Sequence, residues 1–213
     1  MKKNKIIFII TGFIAFILLL AIILYYNIPR ITYKYNDEIK GYEVYRVFGN
    51  SKSYEIKDKY KNIDVLQIGS RAFYNHSRLE RVILPDTIKK IERLAFSECA
   101  NLKEINLENI DYIERNAFSY CKSLASIEIY ASYIGASTFY GCEGLEEVIL
   151  HNTISIGSMA FSKTNIKTID LPITVVDIGI NAFYGLKLEK IIIHNDFLLN
   201  NEYLKTFSCV VLQ

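Results

Sequence analysis

The 213-residue chain contains no tryptophan and only three prolines, whereas tyrosine (16) and phenylalanine (12) are abundant. Scarce proline together with plentiful aromatic residues favours a tightly wound, β-rich chain and argues against intrinsic disorder. The net charge is +2, and setting aside Lys2, Lys3 and Lys5 leaves 22 basic against 23 acidic residues. Because no basic stripe is present, nucleic acid is not an expected partner.

The usual signatures of catalysis and metal binding are also missing. The sequence has no CxxC or Cys/His spacing of a zinc site, no G-x-S-x-G elbow, no Ser-His-Asp set and no carboxylate pair in a recognisable cleft. His151 and His194 each follow the end of a repeat, with a whole repeat between them, so we predict surface histidines rather than a shared metal site. We therefore predict no catalytic, cofactor or metal site, and the protein is not expected to be an enzyme.

One long hydrophobic run lies at the N-terminus. Residues 6–26 carry no charged side chain, and 21 helical residues at 1.5 Å each span about 30 Å of hydrocarbon. Three lysines within residues 1–5 predict a cytoplasmic N-terminus, with the rest of the chain outside, whereas Arg30 and Lys34 on the far side are a weaker signal for the opposite orientation. We predict an uncleaved, single-pass transmembrane helix over 6–26. A cleaved signal peptide is the alternative, but the run exceeds a usual h-region and no A-x-A-like site follows it. Because the first cysteine is Cys99, lipid attachment at a processed N-terminal cysteine is excluded.

The remainder of the chain is repetitive. Six phenylalanines, five of them preceded by alanine and one by threonine, lie 23, 22, 21, 22 and 22 residues apart: Phe73, Phe96, Phe118, Phe139, Phe161 and Phe183. An isoleucine precedes each phenylalanine by five residues, and an apolar triplet follows it. The triplets are Leu79/Val82/Leu84, Leu102/Ile105/Leu107, Leu124/Ile127/Ile129, Leu145/Val148/Leu150, Ile166/Ile169/Leu171 and Leu188/Ile191/Ile193. A period of about 22 with an L-x-x-L-x-L core is the signature of a leucine-rich-repeat solenoid.

Within each repeat, the alternating end of the triplet predicts a short strand. Coils stacked at about 4.8 Å place these strands in one parallel sheet of six to seven strands. The A-F-x-x-C segment is too short for a long helix and is predicted to be a helical or 3₁₀ turn on the return path. The expected organisation is a tether (27–41), an N-terminal cap (42–67) that starts with a plain hairpin over 42–56, six repeats (68–195), and a C-terminal cap (196–213) in which Phe197, Leu204 and Phe207 cover the last coil.

The consensus I-G-x-x-A-F-x-x-C-x-x-L-x-x-I-x-L-P resembles the BspA-like class of leucine-rich repeats. Residues Ile68 to Pro85 and Ile91 to Leu107 match it closely, and the similarity runs from Tyr42 to the C-terminus. Members of this class are typically bacterial or protist surface proteins, some of them adhesins. The resemblance therefore implies a binding role at a cell surface and brings no catalytic residues with it.

Three cysteines, Cys99, Cys121 and Cys142, occupy one position of the repeat, three residues after the phenylalanine. Adjacent coils bring their Cα atoms to about 5 Å, within the disulfide range, but a ladder of parallel side chains seldom provides the torsion of about 90° that the bond requires. We predict an inward ladder of free thiols. A disulfide between Cys121 and a neighbour is the alternative, and Cys209 is expected to be unpaired.

The outward residues of the predicted strands form the candidate binding face. They are Arg81, Ile83, Glu104, Asn106, Ser126, Glu128, Glu147, Ile149, Thr168, Asp170, Lys190 and Ile192. Isoleucines on an otherwise polar face indicate a contact surface for a protein or other surface macromolecule, although a plain solvated sheet face would look similar. A structural subunit that pairs with itself or with another envelope protein is the alternative function.

Overall fold

The computed structural model describes residues 13–23 and 28–213. Residues 13–23 are helical, and within the described ranges no helix is long and apolar enough to cross a membrane. The predicted membrane helix (6–26) and the predicted cytoplasmic segment (1–5) lie partly or wholly outside these ranges. From residue 28 onward the chain winds into stacked coils, which we number 1 to 6 by their phenylalanines, Phe73 to Phe183.

The isoleucines that precede each phenylalanine form one ladder of parallel strands along the solenoid. Its sheet has nine strands within residues 28–213, and its members are β1 (Arg30–Asn36), β2 (Gly41–Phe48), β4 (Lys59–Tyr60), β5 (Ile63–Ile68), β7 (Lys90–Ile91), β9 (Tyr112–Ile113), β11 (Tyr133–Ile134), β13 (Ser155–Ile156) and β15 (Asp177–Ile178). Only β1 and β4 pair antiparallel, with β2 and β5 respectively. This ladder is not part of the sequence prediction.

The triplet segments form the predicted parallel strands, but not as one sheet. Their members are β3 (Ser53–Glu55), β6 (Arg81–Ile83) and β8 (Glu104–Ile105) in one sheet, β10 (Ser126–Ile129) and β12 (Glu147–Leu150) in a second, and β14 (Thr168–Leu171), β16 (Lys190–Ile193) and β17 (Val210–Leu212) in a third. The expectation of a single sheet is therefore wrong. We call this side of the solenoid the triplet face.

The second interruption of the triplet face has a counterpart in the sequence. In coils 1 to 4 the first triplet residue follows the phenylalanine by six positions, as in Phe139 and Leu145, whereas in coils 5 and 6 it follows by five, as in Phe161 and Ile166. With one residue fewer on the arc between the phenylalanine and the triplet, the strand of coil 5 is shifted relative to the strand of coil 4. The break between β12 and β14 coincides with this change of arc length.

The A-F-x-x-C segments are turns closed by hydrogen bonds between residues three apart, as from the His76 N–H to the Phe73 carbonyl at 3.1 Å. Of the predicted helical or 3₁₀ turn, the turn is therefore confirmed and the helix is not, for residues 68–195, all of which are described. Each phenylalanine N–H in coils 1 to 5 donates to the carbonyl of the residue before the next phenylalanine, at 2.7–2.9 Å. Because these amides bond between coils, they are not available for a helix. Two residues per coil adopt positive φ, two positions before and after the phenylalanine, as at Met159 (φ 56°) and Gly141 (φ 71°).

The six phenylalanines stack along the centre of the solenoid. Their ring centroids are separated by 4.8, 5.2, 5.3, 5.4 and 6.1 Å, and none is more than 1% exposed. A tyrosine ends the stack on each side: Tyr54 meets Phe73 edge-on at 5.7 Å, and Tyr203 stacks on Phe183 at 6.3 Å. Offset stacks of this kind add to the large apolar area that each ring buries.

The thiol ladder also lies inside the solenoid. Each thiol donates to the carbonyl of the phenylalanine one coil earlier: Cys99 to Phe73 at 3.1 Å, Cys121 to Phe96 at 3.2 Å and Cys142 to Phe118 at 3.0 Å. Burial raises the pKa of Cys99 to about 12 and that of Cys121 well above its ordinary value. All four cysteines are free, so the ladder of inward thiols is confirmed.

At the N-terminal end, Arg30–Asn36 is strand β1, not part of a tether, because it pairs along its length with β2. The expected hairpin within 42–56 is also wrong. Strand β2 pairs with β5, whereas β3 pairs with β6, so the two segments belong to different sheets. Together they form an incomplete coil that precedes coil 1.

The C-terminal segment contains two 3₁₀ helices, Asp196–Asn200 and Leu204–Thr206, followed by β17. Leu198 and Leu204 are buried there, whereas Phe197, which was expected to cover the last coil, is 66% exposed. The Phe183 N–H donates to the Tyr203 hydroxyl at 2.8 Å. That hydroxyl takes the place that the next coil's carbonyl holds in coils 1 to 5.

Candidate binding face

The predicted face residues lie on the triplet face as expected, since each strand directs its alternate side chains outward. Nine of the twelve are exposed, and the half-buried ones are Asn106, Lys190 and Ile192. The first interruption of the triplet face, between β8 and β10, opens a cleft of 470 Å³. Eight predicted residues line it: Arg81, Ile83, Glu104, Asn106, Ser126, Glu128, Glu147 and Ile149. The other four, on β14 and β16, lie in a separate sheet outside it.

Asn106, which lines the cleft, is bonded through its side chain to the preceding coil. Its side-chain oxygen accepts from the Leu84 N–H at 2.8 Å, and its amide donates to the Leu84 carbonyl at 2.9 Å. The carboxamide thus replaces main-chain pairing with coil 1 and ends β8 after two residues. The next strand, β10, is a full four residues but pairs with β12 alone.

The floor of the cleft consists of core residues. Val82, Ile105, Leu107 and Ile127 line it, and Val82, Leu107 and Ile127 are buried there as the repeat pattern predicts, at 1%, 2% and 5% exposure, whereas Ile105 is half-buried. They border the cleft because no strand pairing closes the gap between β8 and β10. Asn106 gives no warning of this, since glutamate and aspartate occupy the same strand position in coils 3 and 5.

The rim of the cleft carries an excess of negative charge. Its lining contains two basic side chains, Arg81 and Lys103, and four acidic ones, Glu104, Glu108, Glu128 and Glu147. Arg81 Nε pairs with Glu104 at 3.3 Å. Within residues 28–213, the Glu147 carboxylate has no cation within salt-bridge distance.

An aromatic pair adjoins Glu128. The His151 ring stacks on Tyr130 with a centroid separation of 3.9 Å, and its Nε2 lies 3.4 Å from the Glu128 carboxylate. Partial burial and the nearby Glu128 charge raise the pKa of Tyr130. The same relation recurs two coils later, where His194 Nε2 lies 2.7 Å from Asp170. Each histidine thus meets its own carboxylate, and the described part of the chain contains no group of three or more His, Cys, Asp or Glu side chains placed to hold a metal.

The chain matches the model of a known protein family. The model of the BspA type leucine rich repeat region matches in six copies, over residues 42–154 and 132–213. The chain belongs to the BspA-type leucine-rich-repeat family. The resemblance that the repeat consensus indicated is thereby confirmed for the whole array.

Solved structures of bacterial leucine-rich-repeat proteins share the solenoid. A leucine rich cell surface protein from Faecalibacterium prausnitzii is 24% identical, with a TM-score of 0.64 over 78% of this chain and 53% of that one. The chain thus spans about half the length of that relative. The Treponema pallidum leucine rich repeat protein is 23% identical, with a TM-score of 0.62 over 83% of this chain and 91% of that one. At these identities the likeness concerns the fold. No curated protein matches the chain.

Proposed function

We propose that this BspA-type protein is a recognition module that binds another macromolecule through the cleft of the triplet face, while its N-terminal hydrophobic segment holds it outside the cell membrane. The single observation that carries the proposal is the cleft itself. It interrupts a strand ladder that the repeat pattern would otherwise close, and two exposed isoleucines, Ile83 and Ile149, border it next to charged residues.

The chemistry of the cleft favours a protein partner. Apolar anchors that enter a desolvated pocket provide most of the affinity of protein interfaces, whereas rim charges govern association rate and partner choice. Ile83 and Ile149, which are 37% and 40% exposed, stand beside the floor. With four carboxylates against two cations in the lining, we expect a partner segment with an aliphatic side chain flanked by lysine or arginine.

The proposed position of the repeats outside the membrane rests on the sequence of the N-terminal segment. Residues 6–26 have the length and composition of a membrane-spanning segment, and the lysines before it favour a cytoplasmic N-terminus. The description of the F. prausnitzii protein as a cell surface protein is consistent with this placement. Protease added to intact cells is expected to degrade the repeats; degradation only after lysis would contradict the external location.

Assembly with other copies is the second candidate function, favoured by the edge of strand β17. Among residues 28–213 this strand pairs only with β16, and its Val211 and Leu212 are 41% and 47% exposed. Open strand edges are common sites of association. The acidic lining makes face-to-face pairing of two clefts unfavourable, so self-assembly would use this edge instead.

A peptide library tests the recognition proposal. The full chain, embedded in lipid nanodiscs, is used to select displayed random peptides, and the enriched peptides are measured against variants. Glu128→Lys and Ile149→Asp are expected to weaken binding at least tenfold. The control Ile180→Asp changes an isoleucine that is 72% exposed and does not line the cleft, and it should leave binding unchanged. If the enriched peptides bind Glu128→Lys and Ile149→Asp as tightly as the control Ile180→Asp, the cleft is excluded as the binding site.

A further inference from the structure

We propose that the N-terminal cap, which in the structure comprises the residues before β5 (28–62) rather than the predicted 42–67, docks directly on the membrane surface and takes anionic phospholipid headgroups as its ligand. The inference rests on the proposed membrane anchoring. It adds that the solenoid does not stand off the bilayer on a tether, and that its first strands form a lipid-binding surface.

The first step is the short distance between anchor and cap. The hydrophobic run ends at Tyr26, so Asn27 alone separates it from Ile28. Ile28 and Pro29 already pack on the cap at Gly49, where a Cβ would lie 2.6 Å from Pro29. Two residues reach about 7 Å at full extension, which is comparable to the headgroup layer on one side of a bilayer. The cap therefore lies at the headgroups.

The second step is an asymmetry of charge along the chain. Residues 28–62 contain eight basic and five acidic residues, a net charge of +3, whereas residues 63–213 contain 14 basic and 18 acidic residues, a net charge of −4. The excess positive charge is thus concentrated in the part of the solenoid next to the anchor. A juxtamembrane basic surface of this kind is attracted to anionic lipid.

The third step concerns what the cap's cations contact. In the repeats, lysines bridge to carboxylates of neighbouring coils, as Lys103 does with Glu80 at 3.2 Å. Two lysines of the cap pair in the same way, Lys52 with Glu80 at 2.6 Å and Lys59 with Asp64 at 3.7 Å. Lys34 and Arg46 instead lie over the Tyr45 ring at 5.7 and 4.7 Å, and Lys61 lies over Tyr60 at 5.6 Å. No carboxylate in the described part of the chain lies within salt-bridge distance of these three cations. Because Arg46 also donates to the Tyr45 and Ser70 carbonyls, Lys34 and Lys61 are the two whose charge is left for an external anion.

The fourth step is the aromatic composition of the cap. Tyr33 stacks on Tyr60 at 4.7 Å, and Tyr42 meets Tyr60 at 5.0 Å and Tyr35 at 5.5 Å. Tyr35 and Tyr45 remain 40% and 43% exposed. Tyrosine and long basic side chains are the residues that membrane interfaces favour, because each combines an apolar body with a polar tip. Net charge, unpaired cations and exposed tyrosines thus occur together beside the anchor.

The absence of tryptophan from the chain allows a direct test. The full chain carrying Tyr45→Trp is reconstituted in nanodiscs that contain headgroup-labelled nitroxide lipid, and quenching of the single tryptophan is measured. The matched control is Tyr133→Trp, at a tyrosine of coil 4 that is 38% exposed. Strong quenching of the Tyr45→Trp variant in phosphatidylglycerol discs, and little in the control, is expected. Equal quenching of the two would overturn the proposal.

Charge reversal tests the ligand class. In the Tyr45→Trp background, Lys34→Glu with Lys61→Glu should lower the docked fraction, since each basic residue at an anionic surface contributes roughly a fivefold factor to docking. The control Lys163→Glu alters a lysine that also lies over a tyrosine, Tyr140 at 5.2 Å, but far along the chain in coil 5. Quenching that is as strong in purely phosphatidylcholine discs, or unaffected by the double reversal, would refute an anionic-lipid ligand. Failure of the chain to co-elute with the discs refutes the anchoring and the docking together, whereas co-elution without quenching refutes the docking alone.

Discussion

Tyr203→Phe removes a single hydroxyl from the end of the phenylalanine stack. In coils 1 to 5 the phenylalanine N–H finds a carbonyl of the following coil at 2.7–2.9 Å. In coil 6 the Phe183 N–H finds the Tyr203 hydroxyl at 2.8 Å instead. The variant keeps the aromatic ring that stacks on Phe183 and takes away only the acceptor.

The magnitude follows from the amide that loses its partner. A buried N–H without an acceptor costs about 1–3 kcal/mol, whereas the retained ring leaves no cavity to add to that cost. Phe183 is fully buried, and we expect a loss of about 1–2 kcal/mol in the free energy of unfolding. For a chain of this length such a loss corresponds to a fall of roughly 2–8 °C in Tm.

Hydrogen exchange at the Phe183 amide is the assay. Because about 1.4 kcal/mol corresponds to a factor of ten, protection of this amide should fall roughly tenfold, while the Phe118 amide in the middle of the stack keeps its protection. The control Tyr184→Phe removes a hydroxyl from a tyrosine that is 59% exposed, and it should change neither protection nor Tm. Unaltered exchange at Phe183 in Tyr203→Phe would refute the role assigned to the hydroxyl.

Three further predictions concern the thiols, the backbone and acid stability. Native protein at pH 8 should alkylate only at half-buried Cys209, because the other thiols are buried; mass spectrometry that finds a second labelled cysteine before unfolding would contradict the thiol ladder. At Met159, where φ is 56° and the side chain is 40% exposed, glycine should give a protein about 1–2 kcal/mol more stable than valine in denaturant titrations, and the reverse order would argue against the left-handed turn. Burial lowers the pKa of His76 from 6.5. The unfolded chain therefore binds more protons than the folded chain below pH 6.5, and the free energy of unfolding falls there. His76→Cys should lose less stability than the parent chain between pH 7 and pH 5, and equal losses would show that burial of His76 has no part in acid destabilisation.

The solenoid and its core could be predicted because the 22-residue period places one phenylalanine in every coil. The first strand ladder could not, since two-residue strands such as Lys90–Ile91 are too short for apolar and polar residues to alternate visibly. The cleft could not be predicted either, because the pairing that is missing between β8 and β10 would join residues a whole coil apart, which no local pattern shows. Strand β1 was mistaken for a tether because its polar and tyrosine residues resemble a linker until β2 pairs with them.

The closed C-terminal end restricts how such a protein changes length in evolution. With the Tyr203 hydroxyl in the position of a further coil's carbonyl, a repeat added after coil 6 would have to displace the segment 196–207 before its own carbonyl could accept from the Phe183 N–H. A duplication within coils 1 to 4, whose arcs from phenylalanine to triplet have equal length, preserves every contact of both termini. New copies are therefore expected to arise internally, and length variation among close homologues should map to the middle of the array.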